Sequence, residues 1–254
     1  MTYKKSKYFI TKENRKIKYI FAKKNSQITV VFFHGFMSDM VGKKPNFIEK
    51  FCEKNKINFL KFEYSGHGKS KGKFIDGNIS KWTNEAKQLI KSKIENNNNL
   101  IFIGSSMGSW IALNLFPNFK NQIKGFVGIA SAPEFLENLM WKKFSKKIKK
   151  IILSKKIYYL KSGDYTYPIT KQLILDGRKN KIYINKANSN VPIILFHGTK
   201  DEIVPLEYSK KIIKKFKNSK SKLVQIQNGN HSLSRLIDLK KICFELKFLI
   251  KLIN

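Results

Sequence analysis

The sequence has only two cysteines, and their number and spacing argue against zinc and redox sites. Cys52 and Cys243 are far apart in the chain and lack the paired spacing that zinc and redox motifs require. Both fall in helix-like patterns, where a cysteine is usually a buried thiol. We therefore expect no metal site, no cofactor and a reducing compartment.

Long apolar runs are also missing. No stretch approaches the roughly 18 consecutive apolar residues that indicate a membrane span. The first twenty residues alternate charged and apolar side chains and have no continuous apolar core of a signal peptide. The sequence thus predicts a soluble, intracellular protein without a transmembrane segment, with the cytoplasm as the first expectation and an organelle as the alternative.

Arginine is scarce although the chain is very basic. Lysine and arginine together number 51 against 17 acidic residues, a net charge of +34, yet the only arginines are Arg15, Arg178 and Arg235. A field of this size attracts polyanions, but recognition of bases and phosphates draws heavily on the guanidinium fork. The abundance of Lys, Asn, Ile and Phe is typical of A/T-rich coding. We predict no specific nucleic-acid partner; the alternative is a non-catalytic basic protein that binds nucleic acid or acidic membranes.

The chain has enough apolar side chains for a full core. Hydrophobic residues make up 42% of its 254 residues and aromatic residues 13%. Strand and helix patterns alternate, which predicts an α/β fold with a mostly parallel central sheet, flanking helices and right-handed crossovers. Because no repeat or low-complexity linker divides the chain, residues 1–254 are predicted to be a single domain.

The alternation breaks at residues 133–190. This segment holds aromatic and aliphatic residues among many lysines, in two or three helix-like pieces without a clear buried strand. We expect it to be an inserted helical cap or lid. The alternative is a pair of surface helices that covers no ligand.

The stretch from Leu100 to Phe116 carries the strongest local signal. Four apolar residues form a short strand pattern, Gly-Ser-Ser-Met-Gly follows, and a helix pattern then runs to Pro117. The spacing G-x-S-x-G between strand and helix is that of a nucleophile elbow, in which glycines allow a tight turn that exposes Ser106. An ordinary Gly/Ser loop is the alternative for this stretch taken alone.

Two later loops supply the partners that a serine nucleophile needs. Asp201 follows the strand Ile193 to Phe196, and His231 follows the strand Leu223 to Ile226. Both loops fall at the carboxyl edge of a parallel sheet, where Ser106 also lies. A base must take the serine proton and a carboxylate must orient that base. The order Ser106, Asp201, His231 therefore predicts a catalytic triad of the α/β-hydrolase arrangement.

Other residues compete for these roles. His34 and His197 each end a strand in a His-Gly pair and are expected to be structural hydrogen-bonding groups, while His67 lies in a glycine-rich loop. Glu202 competes with Asp201 for the orienting carboxylate, but adjacent side chains point in different directions, so only one can serve.

A developing oxyanion needs two backbone N–H donors. One comes from the residue after the nucleophile and one from the loop after an earlier central strand. Met107 and Phe36 occupy these two positions. We predict that they form the oxyanion hole.

Five motifs, HGF, EYSGHGKS, GSSMGSW, HGTKDEIVP and GNHS, make the chain resemble the α/β-hydrolase superfamily over nearly its whole length. Within it, the segments VFFHGFMSDMVGKK and GSSMGSWIALNL resemble the subfamily of palmitoyl-protein thioesterases and acyl-glucuronide esterases. The resemblance implies the same triad and oxyanion donors. It departs from the family at Glu63, where an aspartate is usual, and across the lysine-rich cap.

These observations together predict a serine hydrolase that cleaves acyl thioesters or carboxylic esters through an acyl-enzyme. The partner expected is an acyl ester or thioester substrate, with a fatty acyl thioester first. Hydrolysis of a small carboxylic ester or an acyl-glucuronide is the alternative.

Overall fold

The computed structural model describes residues 6–163, 165–182, 190–216 and 220–253. Their strands run as follows: β1 Lys7–Ile10, β2 Lys16–Ala22, β3 Ile28–Phe33, β4 Asn58–Phe62, β5 Asn99–Ser105, β6 Ile123–Ile129, β7 Ile157–Ser162, β8 Tyr165–Thr170, β9 Ile193–Gly198 and β10 Lys222–Ile226. The α-helices are α1 Lys43–Lys54, α2 Ile79–Lys93, α3 Met107–Asn114, α4 Lys146–Lys155, α5 Lys171–Lys179, α6 Glu207–Lys215 and α7 Leu236–Lys251.

Eight of these strands form one sheet, in the order β1-β2-β4-β3-β5-β6-β9-β10. The β1–β2 and β2–β4 pairs are antiparallel, and every other neighbouring pair from β4 to β10 is parallel. The predicted α/β fold with a mostly parallel sheet and flanking helices is confirmed. Its parallel strands all end at the same edge, which is where ligands bind in open α/β sheets.

Two apolar layers cover the faces of this sheet. Along β3, Val31 and Phe33 pack in one layer while Val30 and Phe32 pack in the other, because successive strand side chains point to opposite faces. α2 and α3 contribute to the first layer, and α1 and α7 to the second. The central strands are buried on both sides, which explains their continuous apolar sequences.

The segment 133–190 is less helical than the sequence indicated. It holds a π-helical turn at Leu136–Met140, then α4 and α5, but also the antiparallel hairpin β7–β8. Part of the segment, residues 183–189, lies outside the described residues. The hairpin was missed because its strands are short and half-exposed and carry lysine, so no buried apolar run marks them.

Neither cysteine lies at the surface: Cys52 and Cys243 are both buried, as expected. Of the helices within the described ranges, none combines the length and the apolar character needed to cross a bilayer.

The turn from β5 into α3 depends on two glycines. A Cβ on Gly108 would lie 2.1 Å from the carbonyl oxygen of Phe33 and 2.6 Å from that of His34. A Cβ on Gly104 would lie 2.4 Å from the Cα of Ser109. The atoms in the way are backbone atoms, which cannot turn aside as a flexible side chain can. Strand, turn and helix are therefore closer together than any other residue type allows.

We expect Gly108→Ala to lower the free energy of unfolding by more than about 2 kcal/mol, because the new methyl group overpacks the backbone of β3. Gly42→Ala is the matched control, since its Cβ would meet nothing closer than Pro45 Cδ at 3.9 Å and its φ is negative. Urea denaturation followed by circular dichroism measures both changes. Equal stability of the two variants would contradict this account of the turn.

Candidate active site

Ser106 lies at the tip of the turn between β5 and α3. Its φ is 52° and its ψ is −116°, a conformation that L-residues rarely adopt. The surrounding backbone holds it there: the Ser106 N–H donates to Ile129 O at 2.9 Å, and the Ser106 carbonyl accepts from Ser109 N and Ala132 N. The side chain is thereby presented at the carboxyl edge of the sheet.

His231 and Asp201 lie beside Ser106. His231 Nε2 is 3.2 Å from Ser106 Oγ, and His231 Nδ1 is 2.9 Å and 3.1 Å from the two carboxylate oxygens of Asp201. A carboxylate only accepts hydrogen bonds, so Nδ1 carries the ring proton and Nε2 is left to accept from the serine hydroxyl. The three side chains that the sequence singled out thus form one continuous hydrogen-bonded chain.

The Asp201 carboxylate is fully buried and strongly held. Its Oδ1 accepts from the backbone N–H groups of Ile203 at 3.0 Å and Val204 at 2.9 Å. Burial by itself raises the pKa of Asp201, but the hydrogen bond and charge of His231 and the two backbone donors lower the pKa further, so it lies below its usual value. Asp201 is therefore ionised at neutral pH. The neighbouring Glu202 is exposed and makes no corresponding contact within the described residues.

His197 contacts the loop that carries Asp201. Its Nδ1 lies 2.9 Å from Ser209 Oγ, and its Nε2 lies 2.9 Å from Val204 O and 3.6 Å from Asp201 Oδ2. Burial lowers the pKa of His197. This histidine fixes the aspartate loop and is not next to Ser106, in keeping with the structural role expected for it.

His34, directly after β3, and His67, in the loop after β4, are both buried, with ring centroids 4.9 Å apart. His34 Nδ1 donates to Gly35 O at 2.8 Å, and its Nε2 accepts from Tyr64 N at 3.4 Å. Burial lowers the pKa of His34 to about 4, and burial together with the His34 charge lowers that of His67 to about 2. Both rings are neutral at physiological pH and serve packing and backbone hydrogen bonding.

Phe36 and Met107, the predicted donors of the oxyanion hole, belong to two segments that pass close to each other. A Cβ on Gly35 would lie 3.4 Å from Ser105 O and 3.6 Å from Ser106 Cβ, so the loop after β3 passes directly beside the elbow. Met107 is the first residue of α3, where an N–H has no partner inside the helix. The Phe36 ring stacks on Tyr167 and meets Phe74 and Phe135 edge-on, which fixes the loop.

A cavity of about 640 Å³ opens at Ser106 and His231. One wall is apolar and includes Phe135, Leu139, Met140, Leu160 and Tyr167 from the segment 133–190. The polar part of the lining, which we call the polar wall, includes Ser38, Asp39, Lys43, Lys44, Ser232 and Ser234. A second cavity of about 280 Å³ lies at the amino-terminal end of the strands, lined by Ile28 and Ile57, and is remote from the triad. The larger one has the size and mixed lining of a small-molecule site.

Two contacts that support the loops around the site were not predicted from the sequence. Glu85 is fully buried, accepts hydrogen bonds from Ser65 N and Ser65 Oγ and pairs with Arg15. A glutamate three residues after Trp82 on the apolar face of α2 was the signal that could have revealed it. Lys44 donates to Ser232 O, next to His231, and this long-range contact had no local signal.

The described residues contain no group of three or more His, Cys, Asp or Glu side chains arranged to hold a metal ion. The site brings together a serine hydroxyl, an imidazole and a buried carboxylate.

A comparison with protein families matches residues 24–172 to the family described as serine aminopeptidase, S33. Among curated proteins, the chain is 27% identical over 217 residues to a palmitoyl-protein thioesterase, ABHD10, mitochondrial, of Rattus norvegicus. That match covers 83% of this chain and 71% of the rat protein.

Solved structures share the whole fold. A crystal structure of a protein from Agrobacterium vitis S4 is 26% identical, covers 97% of this chain and 98% of its own, and superposes with a TM-score of 0.90. Alpha/beta hydrolase domain-containing protein 10 from mouse is 23% identical, covers 98% of this chain and 100% of its own, and has a TM-score of 0.86.

The buried, neutral His34 makes stability depend on pH. In the unfolded chain it binds a proton near its ordinary pKa of about 6.5, whereas in the folded protein it does so only near 4. As the pH falls between these values the unfolded state takes up more protons than the folded one, so the free energy of unfolding falls. We expect His34→Asn to flatten this slope. Denaturation curves of both proteins at a series of pH values test it, and an unchanged slope would contradict it.

Proposed function

Since this chain belongs to the serine aminopeptidase, S33 family and is a hydrolase, we propose that it cleaves acyl esters or thioesters with Ser106 as the nucleophile, His231 as the base and Asp201 as the orienting carboxylate. The observation that carries the proposal is the hydrogen-bonded chain from Ser106 Oγ through His231 to Asp201, placed in the mouth of a half-apolar cavity. Family membership sets aside the alternative of a non-catalytic basic binding protein.

The first half of the reaction forms an acyl-enzyme. Ser106 Oγ attacks the substrate carbonyl carbon while its proton passes to His231 Nε2, and the negative charge moves to the carbonyl oxygen. The N–H groups of Phe36 and Met107 donate hydrogen bonds to that oxygen. Collapse of the tetrahedral intermediate breaks the bond to the leaving thiol or alcohol, which departs with the proton from His231.

The second half repeats these steps with water. His231 Nε2 takes a proton from a water molecule that attacks the acyl carbon, and Ser106 leaves with that proton as the carboxylic acid is released. Asp201 stays ionised throughout and stabilises the imidazolium formed twice per cycle. Its lowered pKa suits this role, because a carboxylate that protonated readily would lose its hold on the ring.

The cavity supports a fatty acyl group as the part of the substrate that is retained. We propose that residues 133–190 form a cap whose apolar wall, with Leu139, Met140 and Leu160, packs on the acyl chain. The rat relative is a palmitoyl-protein thioesterase by its name, and an S-acylated protein is accordingly the first substrate to test.

A smaller ester or an acyl-glucuronide remains the second candidate. The specific observation that favours it is the polar wall, where Ser38, Lys43 and Lys44 line the cavity and suit a hydroxylated or charged leaving group. Rates along a series of acyl lengths separate the two candidates.

We propose that the protein acts inside the cell. Two buried cysteines fit a reducing compartment. The rat relative is mitochondrial by its name, so an organelle is proposed alongside the cytoplasm.

Replacing the nucleophile should abolish turnover. We expect Ser106→Ala and His231→Ala each to lower kcat/KM for p-nitrophenyl esters and palmitoyl thioesters by at least about 10³-fold, and to abolish labelling by a fluorophosphonate probe. Ser105→Ala is the control, since it changes the adjacent serine on the same turn. Labelling retained in Ser106→Ala would assign the nucleophile to another residue.

Narrowing the apolar wall should shorten the preferred acyl chain. We expect Met140→Trp to lower kcat/KM for long-chain thioesters by about tenfold or more while sparing acetyl and butyryl substrates, because the larger side chain fills the cavity. Leu153→Trp, on α4 where Leu153 is exposed, is the matched control. A uniform loss across all chain lengths would place the acyl group elsewhere.

A further inference from the structure

Large apolar side chains are exposed around the mouth of the cavity that holds Ser106. They come from the loop after β3, the loop after β9 and the first turn of α7: Met37 (42% exposed), Val41 (54%), Ile203 (62%), Leu236 (58%) and Ile237 (70%). We call these five residues the rim patch. Scattered apolar residues are normal on a protein surface, but a cluster around a binding cavity marks an interaction site.

The residues of the rim patch lie on the same chain segments as residues that line the cavity. Ile203 lines the cavity itself, and Met37 and Val41 are interspersed along the chain with the lining residues Ser38 and Gly42. Leu236 follows the lining residue Ser234 by two positions. Anything that covers the patch also faces the entrance to the catalytic serine.

The polar wall joins two of these segments. Lys44, in the first turn of α1, donates to Ser232 O, in the loop that leads into α7. This contact joins the chain after Val41 to the chain before Leu236, so the two parts of the patch belong to one rim. The rim patch thus lies on two loops and the first turn of α7, which the sheet holds in place. This favours a docking surface that exists before anything binds.

Charge decides which occupant fits. Among the residues that line the cavity, Lys43 and Lys44 offset Asp39 and Glu202, and the exposed Lys240 adds a positive charge beside the rim patch on α7. The whole chain carries +34. A second copy of this chain would carry the same charge and be repelled, whereas an anionic surface is attracted over the range of the protein's field.

We propose that the rim patch docks the protein on an anionic lipid surface, with the cavity mouth facing the lipid, so that acyl groups presented there reach Ser106. Aliphatic side chains enter the boundary between headgroups and acyl chains, while lysines around them stay at the phosphates. Lys240, one turn beyond Ile237 on α7, is exposed and suits this position. The proposal rests on the proposed function for its purpose, but its binding step can be measured separately.

The binding experiment uses the full chain and two kinds of vesicle, phosphatidylcholine alone and phosphatidylcholine with phosphatidylglycerol. We expect co-sedimentation with the anionic vesicles at least tenfold above that with the neutral ones, weakening as salt is raised. Equal binding to the two kinds, or binding to neither, would overturn the proposal.

The variant that tests the patch is Val41→Ser/Leu236→Ser/Ile237→Ser, because these three side chains do not line the cavity. We expect it to bind anionic vesicles at least tenfold more weakly than wild type while it hydrolyses a soluble short-chain p-nitrophenyl ester at the wild-type rate. Tyr8→Ser/Ile10→Ser is the matched control: Ile10 is 61% exposed on the edge strand β1, and this variant should bind as wild type does. Thermal melting checks that both variants fold.

Three outcomes separate this proposal from neighbouring ones. If the triple variant loses binding to soluble heparin as much as to vesicles, the patch serves a general polyanion or acidic macromolecule and the lipid proposal is wrong. If wild type binds anionic vesicles through the patch but hydrolyses no ester, docking stands and the proposed function fails. If wild type hydrolyses soluble esters and the triple variant binds vesicles as wild type does, the proposed function stands and the docking proposal fails.

Discussion

The backbone conformation of Ser106 is the constraint on which the rest of the site depends. A positive φ at a serine is unfavourable, and it persists here because the residue is bonded on both sides, to Ile129 and to Ser109 and Ala132. The two flanking glycines let β3, β5 and α3 approach within distances that a single methyl group would prevent. The backbone of Ser106 is thus fixed by the packing of the sheet, and the loops that carry His231 and Phe36 lie beside this fixed position.

Burial divides the four histidines into different roles. His34, His67 and His197 are buried among neighbours that bind the neutral ring, and burial lowers the pKa of each. His231 is partly exposed and has a carboxylate on one nitrogen and a hydroxyl on the other. His34 and His197 also have partners at both ring nitrogens, but only the His231 ring lies between a carboxylate and the Ser106 hydroxyl, and we propose it as the general base. The same sheet edge therefore contains one histidine suited to proton transfer and three that stabilise the loops around it.

The two walls of the cavity meet at Ser106 but come from different parts of the chain. The apolar wall is built from residues 133–190, whereas the polar wall comes from the loop after β3 and the loop before α7, which belong to the sheet framework. In the proposed function, the first set of residues would bind the acyl group and the second the leaving group. The +34 net charge belongs to the whole chain. It affects the long-range attraction of the protein to anionic partners.

The sequence by itself determined the order of the parallel strands and of the helices between them outside residues 133–190, the elbow at Ser106 and the loops that carry Asp201 and His231, because apolar periodicity, glycine spacing and strand ends are local patterns. It did not reveal the β7–β8 hairpin, the buried pair of Glu85 with Arg15, or the contact of Lys44 with Ser232. Each of these joins residues through half-exposed or long-range contacts that leave no periodic trace. Only the tertiary structure decided whether the three candidate side chains lie within hydrogen-bonding distance. It also decided which apolar residues remain exposed at the rim of the cavity. Both depend on how distant loops meet at one edge of the sheet.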